Sequence, residues 1–384
     1  MMKKIPIYML LGLFLFSLLF LSACSRKEKE GSVSAGFSLK GDSPPKVKLG
    51  PDGKLKVAFI YIGPVGDAGW TLSHDIARKK VEKALPFLQT SFIENVTESA
   101  DSERVMSKYA QEGYQVIVAT SFGYMDFVQN AARANPDTIF LHCSGYKTSR
   151  NMDTFFGRIY QPRYLSGLVA GLRTRTNIIG YLAAHPIPEV IQGIDAFTIG
   201  VREVNPKAKV KVIWTHSWYD PAKEREAAEV LMDLQADVIA QHQDTAAALM
   251  AAEKRMCFSI GYDTDMRKFA PEGFLTAPIW HWDKYYAVVF QAIKDGTWKP
   301  EKYFGGLKEG IVDLAPFGPH VSKEAKALVA SKRALIEEGQ WDVFWGPIRD
   351  QNGELKVKEK EKLTDEQIKN LDWFVEGVEG EIKK

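Results

Sequence analysis

Cysteine is scarce in this chain: of 384 residues only Cys24, Cys143 and Cys257 carry a thiol. At most one bridge can form, which excludes a disulfide-stapled scaffold. Charge of one sign is lacking too. Fifty Lys and Arg against 48 Asp and Glu leave a formal charge of +2 with no basic stripe, so neither a nucleic-acid footprint nor a polybasic membrane patch is indicated. The sequence has no Gly-x-Ser-x-Gly elbow, no His-Glu-x-x-His, no Gly-x-x-x-x-Gly-Lys and no Gly-x-Gly-x-x-Gly, and no Cys/His set at zinc spacing. The common hydrolase, metalloprotease and nucleotide-binding signatures are thereby removed, and no cofactor is expected.

Long apolar runs are limited to one. Lys3 and Lys4 precede Ile5 to Leu21, and the small residues Ser22 and Ala23 lead to Cys24 and the polar stretch from Ser25 to Glu30. A charged start, an apolar stretch and small residues before a cut describe an exported precursor; an uncleaved anchor is the alternative. Leu21-Ser22-Ala23-Cys24 resembles the bacterial lipoprotein signal, which implies lipidation of Cys24 after removal of the segment before it. Residues 25–53 are rich in Lys, Gly, Ser and Pro without periodicity and read as a flexible tether. The body is expected to stand at the outer face of a membrane.

From residue 54 onward, short apolar runs alternate with helical patterns. Strands are expected at Val57 to Ile62, Val116 to Thr120, Thr138 to His142, Ile178 to Ala183, Val210 to Thr215, Val238 to Gln241, Cys257 to Ile260 and Leu275 to Ile279, with a weaker one at Ile311 to Leu314. The intervening helices have clear signals, such as Pro162 and Asp220-Pro221 at starts and Gly113 after an end. Strands separated by crossover helices imply an α/β protein with parallel sheets, here two Rossmann-like lobes. The polar break Arg173 to Asn177 places the first lobe at 54–175 and the second at 176–282, with parts of 283–384 returning to the first. Residues 320–384 read as an extension packing on the first lobe. Cys143 and Cys257 sit within apolar runs and read as buried free thiols.

The residues just past the strands share a character. They include Asp67 and Trp70, then Ser121 and Phe122, then Ser144 and Tyr146 in the first lobe, and Trp218, His242 and Asp244 in the second. Tyr262, Asp263, Asp265 and Trp280 continue the series. In open α/β sheets ligands bind at these carboxyl ends. Aromatics mixed with carboxylates suit a flat or ring-shaped polar ligand, because ring faces stack while carboxylates accept N–H or O–H hydrogens. Each residue also has a structural alternative: Asp67 fits a helix cap, Trp70, Trp218 and Trp280 fit packing between lobes, and Asp263 and Asp265 fit turns.

Gly66-Asp67-Ala68-Gly69-Trp70, Tyr164-Leu165-Ser166-Gly167, Asn205-Pro206, Ser217 to Lys223, Ala236 to Ile239 and Gly261-Tyr262-Asp263-Thr264-Asp265 occur in that order. As a set they resemble the basic membrane protein (BMP) family of ABC-transporter substrate-binding lipoproteins. The resemblance implies the periplasmic-binding-protein type I fold, closure of two lobes on a purine nucleoside or base, a membrane permease as partner, a monomer, and no catalytic activity. It aligns Asp67 and Trp70 with the first loop's acid and aromatic, Trp218 with a second stacking aromatic, and Asp265 with an acidic segment. Thr71 stands where nucleoside-binding members carry asparagine, and Trp280 where they carry a lysine that helps hold the ribose. An indole in the sugar's place implies a bare base, closest to the adenine-binding branch. On this reading Trp70 and Trp218 sandwich the ring, Asp67, Asp244 and Asp265 accept its N–H groups, and Trp280 walls off the sugar side; Phe122, Tyr146, His242 and Asp263 complete the candidate site. A purine nucleoside or another ring ligand such as a sugar, a cell-surface nucleoside-processing enzyme and a ligand sensor remain the alternatives.

Overall fold

The computed structural model describes residues 43–382. The expected signal segment, Cys24 and the tether before Ser43 lie outside the described residues. Among the described residues no helix is long and apolar enough to cross a membrane.

The first half of the chain runs β1 (Leu55–Ile60), α1 (Trp70–Ala84), β2 (Leu88–Ile93), α2 (Ala100–Gln111), β3 (Val116–Ala119), α3 (Met125–Ala134), β4 (Ile139–Cys143) and β5 (Met152–Gly157). The second repeats the scheme: α4 (Tyr160–Arg173), β6 (Ile178–Ala183), α5 (Pro188–Val204), β7 (Lys209–Trp214), α6 (Pro221–Asp233), β8 (Val238–His242), α7 (Ala247–Lys254), β9 (Phe258–Ile260) and β10 (Phe274–Thr276). The chain then crosses back through β11 (Pro278–Trp280), α8 (Trp282–Lys294), β12 (Lys302–Gly305) and β13 (Val312–Leu314). It ends with α9 (Lys323–Glu337), β14 (Ile348–Arg349), β15 (Leu355–Val357), α10 (Asp365–Ile368) and β16 (Val378–Glu379).

Two six-stranded sheets result, ordered β12-β5-β4-β3-β1-β2 and β10-β9-β8-β6-β7-β16. Every pair in both is parallel. Such sheets bury both faces, which is why their strands read as continuous apolar runs. In the first, Val57, Phe59, Val116 and Val118 face one core, while Ala58, Ile60, Ile117 and Ala119 face another with Val128 and Ala131 of α3. Strand order reverses between β1 and β3 and again between β6 and β8, opening a crevice at each reversal. The α/β class with two parallel sheets is as expected from the alternation of elements.

Two placements differ from the expectation. Helix α4, assigned to the end of the first lobe, packs along α5 of the second. Glycines allow the approach: a β-carbon on Gly167 would lie 2.1 Å from the Phe197 carbonyl oxygen, and one on Gly200 2.2 Å from that of Tyr164. The polar break after α4 is a surface turn that leads into β6. The C-terminal extension does touch the first lobe, where Arg158 makes paired bonds of 2.6 and 2.7 Å to Asp365. Its end, however, belongs to the second: β16 joins β7, and Phe374 stacks on Trp214 at 6.3 Å. Two residues of strand in a charged tail carry too little periodicity to be seen in the sequence. Neither remaining cysteine is bridged; Cys143 is buried as expected, whereas Cys257 is only half-buried.

Candidate functional site

The loop after β1 is shaped by a carboxylate. Oδ1 of Asp67 accepts the backbone N–H of Gly69 (2.9 Å) and Leu72 (3.0 Å), and Oδ2 accepts that of Thr71 (2.7 Å). These are otherwise unsatisfied donors at the start of α1. Burial raises the Asp67 carboxyl to about 6 against the lowering effect of those bonds. Capping in turn sets Trp70, the first residue of α1, whose indole N–H donates to the Thr120 carbonyl at 2.7 Å. With its only polar group used, Trp70 offers hydrocarbon alone. After β3, Glu98 accepts the Ser121 hydroxyl (2.5 Å) and the Gly123 N–H (2.9 Å), which holds Phe122 at the mouth of the sheet.

The second lobe supplies the facing wall. After β8, Asp244 donates its N–H to the Trp218 carbonyl at 3.2 Å, tying the loop after β7 to the loop after β8. Gln243 donates to the Thr215 hydroxyl at 2.7 Å, and the Gln241 amide donates to the Thr245 carbonyl at 2.7 Å. His242 lies 4.4 Å from the Tyr262 ring and 6.2 Å from the Trp218 ring.

Between the two lobes lies a cavity of about 310 Å³ lined by Ile62, Trp70, Ser121, Phe122, Ser144, Glu189, Trp218, His242, Asp244 and Tyr262. Four aromatic side chains, an imidazole, two serines and two carboxyls share it. Burial and the neighbouring Asp263, Asp67, Glu224 and Glu189 push the Asp244 carboxyl well above the ordinary range. Burial raises Glu189 to about 7, partly opposed by a hydrogen bond with Ser144. Burial and the charge of Arg163 keep the His242 ring neutral. The Asp244 carboxyl makes no hydrogen bond among the described residues and lines the cavity, where a ligand can pair with it.

Of the ten candidate residues, the structure brings Trp70, Phe122, Trp218, His242 and Asp244 together around this space. The others stand elsewhere. Asp67 is the cap described above, because three converging N–H groups claim its oxygens. Tyr146 is 58% exposed and lines an adjoining opening with Gln192 and Lys369. Asp265 turns outward to an ion pair with Arg267 at 2.6 Å. Trp280 does not wall the cavity: it stacks on Trp282 at 4.2 Å, stands edge-on to Trp70 at 5.9 Å, and donates its indole N–H to Asp263 at 2.9 Å. Asp263 is thus a buried support for Trp280, one layer behind the cavity. Sequence reasoning missed Ile62, read as strand, and Glu189, which looks like an ordinary acid in the first turn of α5. Ser121, Ser144 and Tyr262 stood in the strand-end series without being singled out. Among the described residues no cluster of His, Cys, Asp or Glu is arranged to hold a metal ion.

Paired parallel sheets, a cleft at their switch points and ligand-ready groups facing each other across it define a two-lobed solute-binding protein. Residues 54–341 match the family described as ABC transporter substrate-binding protein PnrA-like, and the chain belongs to that family. It is 42% identical over 349 residues to a purine-binding protein of Brucella abortus (strain 2308), covering 91% of this chain and 98% of that one. It is also 42% identical over 328 residues to a putative ABC transporter glucose-binding protein of Haloferax volcanii, covering 85% and 81%. A solved solute-binding protein from Aeropyrum pernix K1 shares the fold with a TM-score of 0.66 at 17% identity, covering 77% of this chain and 93% of that one. The family is one of solute binders rather than enzymes, and membership implies a ligand, a permease and a place outside the cytoplasm.

Proposed function

We propose that this protein captures a purine nucleobase, adenine in the first instance, between its lobes and hands it to a membrane permease, held at the membrane by lipid on Cys24. The observation that carries the reading is the cavity itself, which the rings of Trp70, Phe122, Trp218 and Tyr262 line together with the Asp244 carboxyl. Stacking of a base on an aromatic side chain contributes about 1 to 3 kcal/mol, so two such contacts carry much of a micromolar affinity of about 8 kcal/mol. The purine-binding relative supports the choice of ligand class.

A sugar is the second reading, favoured by the equally similar relative named as glucose-binding. A hexose needs polar partners around its whole rim, whereas half of this lining is apolar or aromatic. Denaturing the purified protein and recording the ultraviolet spectrum of whatever it releases separates the two. A purine band supports the proposal; a released sugar without that band contradicts it.

A further inference from the structure

Behind the cavity wall lies a group of buried polar atoms that the reading above leaves unused. Nε and Nη2 of Arg163, the hydroxyls of Tyr181 and Tyr262, Nδ1 of His242 and Oδ2 of Asp263 are all buried without a hydrogen-bond partner. Gly193 of α5 leaves room for three of them to converge. A single point, where a β-carbon on Gly193 would sit, lies 3.6 Å from Arg163 Nε, 3.6 Å from the Tyr181 oxygen and 3.7 Å from His242 Nδ1. Arg163 is held rigidly there: Nη1 donates to the Gln241 carbonyl at 2.7 Å, and the guanidinium carbon lies 3.8 Å from the Tyr262 ring centre. His242 thus has one ring nitrogen in this chamber, while its other, Nε2, makes no hydrogen bond among the described residues and is left to the cavity that His242 lines.

A guanidinium has donors only and is always charged. Beside it, the imidazole is favoured with a lone pair on the near nitrogen and its proton on the far one, because an N–H on the near side would face a fixed cation that has donors only. Buried beside a fixed cation, the ring stays neutral and carries one proton. We propose that Arg163 is a positioning residue that fixes His242 as the Nε2–H tautomer, so that the cavity offers a donor to an unprotonated ring nitrogen of the ligand beside the acceptor offered by Asp244. The assignment rests on the purine reading, and it adds what that reading lacks: the hydrogen-bond pattern the ligand has to present, an acceptor nitrogen and an N–H donor on one edge.

The test is a long-range proton–nitrogen spectrum of ligand-free, histidine-labelled protein, with the His242 signals assigned by their loss in His242→Gln. In the unaltered protein the proton is expected on Nε2. Arg163→Met is expected to shift it wholly or partly to Nδ1 and to weaken adenine binding about tenfold or more, whereas Arg163→Lys, which keeps the charge, retains the tautomer. Should Arg163→Met fail to fold, the ligand side decides on unaltered protein. Among 1-, 3- and 7-deazaadenine, at least one is expected to bind about tenfold or more weakly than adenine, because its C–H faces the donor. A proton on Nδ1 in the unaltered protein, or three deaza analogues that all bind as adenine does, overturns the proposal. Failure of adenine and every other purine to bind overturns the functional reading instead, and the tautomer is still read without ligand.

Discussion

Gly69 and Asp244 touch across the cleft so closely that a β-carbon on Gly69 would sit 2.4 Å from the Asp244 carbonyl oxygen. One residue earlier, the Ala68 carbonyl accepts the Thr264 hydroxyl at 2.5 Å, with Ala68 held at a positive φ of 73°. The first lobe's loop is thus seated directly on the second lobe, and this contact exists only while the lobes are together. Closure of two lobes on a ligand is hinge motion, and groups that meet only in the closed state shift the balance towards it.

Gly69→Ala is therefore expected to weaken ligand binding by about tenfold or more. Gly69 has a φ of −124° and a ψ of −116°, a combination outside the regions open to a residue with a β-carbon, so the substitution strains the loop as well as obstructing closure, and a lowered melting temperature of the ligand-free protein is expected beside the lost affinity. Calorimetry paired with small-angle scattering checks this. Undiminished affinity with an unchanged, compact scattering profile counts against the contact as a determinant of closure.

Asp244→Asn tests the unpartnered carboxyl. Its burial beside Asp263, Asp67, Glu224 and Glu189 disfavours the charge, so the amide is expected to raise the stability of the empty protein. Adenine binding is expected to fall about 10- to 100-fold, since an unpaired or wrongly paired buried group costs about 1 to 3 kcal/mol. Titration calorimetry and thermal unfolding measured on the same preparation report the two opposite effects.

Asp67→Ala separates a cap from a ligand contact. Loss of a cap costs about 0.5 to 2 kcal/mol of stability, and Asp67→Asn, which keeps one accepting oxygen, is expected to restore most of it. Denaturant unfolding of the ligand-free variants checks the order. Equal stability of Asp67→Ala and the unaltered protein, with affinity lost, points to a direct ligand role.

Stability of the empty protein is expected to fall as pH rises from about 6.5 to 8.5. Burial raises Glu189 and Glu224 to about 7 and Asp153 to about 8, far above their values in the unfolded chain. The folded state therefore binds more protons than the unfolded state in this window, and stability drains away as those protons leave. The buried histidines His74, His142 and His242, whose affinities for protons are lowered, act the other way, but only below about 6.5. A melting temperature that climbs between pH 6.5 and 8.5 contradicts these assignments.

Legibility in the sequence followed burial. Strands such as β3 and β4, buried throughout, stand out as apolar runs. Strand β2 lies at a sheet edge with every residue after Leu88 exposed or half-exposed, and the four residues of β12 have an exposed lysine among them, so neither was visible. Strand β5 was hidden by Asp153, a carboxyl that looks like a loop residue until Trp298 (3.0 Å) and Tyr285 (3.3 Å) are seen to donate to it within the core. At the site, the aromatics at strand ends could be read because position along a strand decides where they emerge. Asp67 and Trp280 could not be assigned that way. Whether an acid caps a helix or meets a ligand, and whether an indole lines a cavity or stacks one layer behind it, depends on neighbours such as the Gly69, Thr71 and Leu72 amides and the Trp282 ring, which lie close only in the folded chain. Arg163 was missed for the same reason: a charged residue within an apolar helix shows its role only once Gln241 and Tyr262 surround it.

The central claim is that the rings and the Asp244 carboxyl between the lobes form a purine site. Titration calorimetry on protein unfolded, stripped of ligand and refolded tests it most directly, with adenine, hypoxanthine, guanine, adenosine and glucose as titrants. One molecule of adenine per chain with a dissociation constant at or below about a micromolar, and no heat from glucose, is the predicted result. Heat from glucose with none from any purine or nucleoside would contradict it.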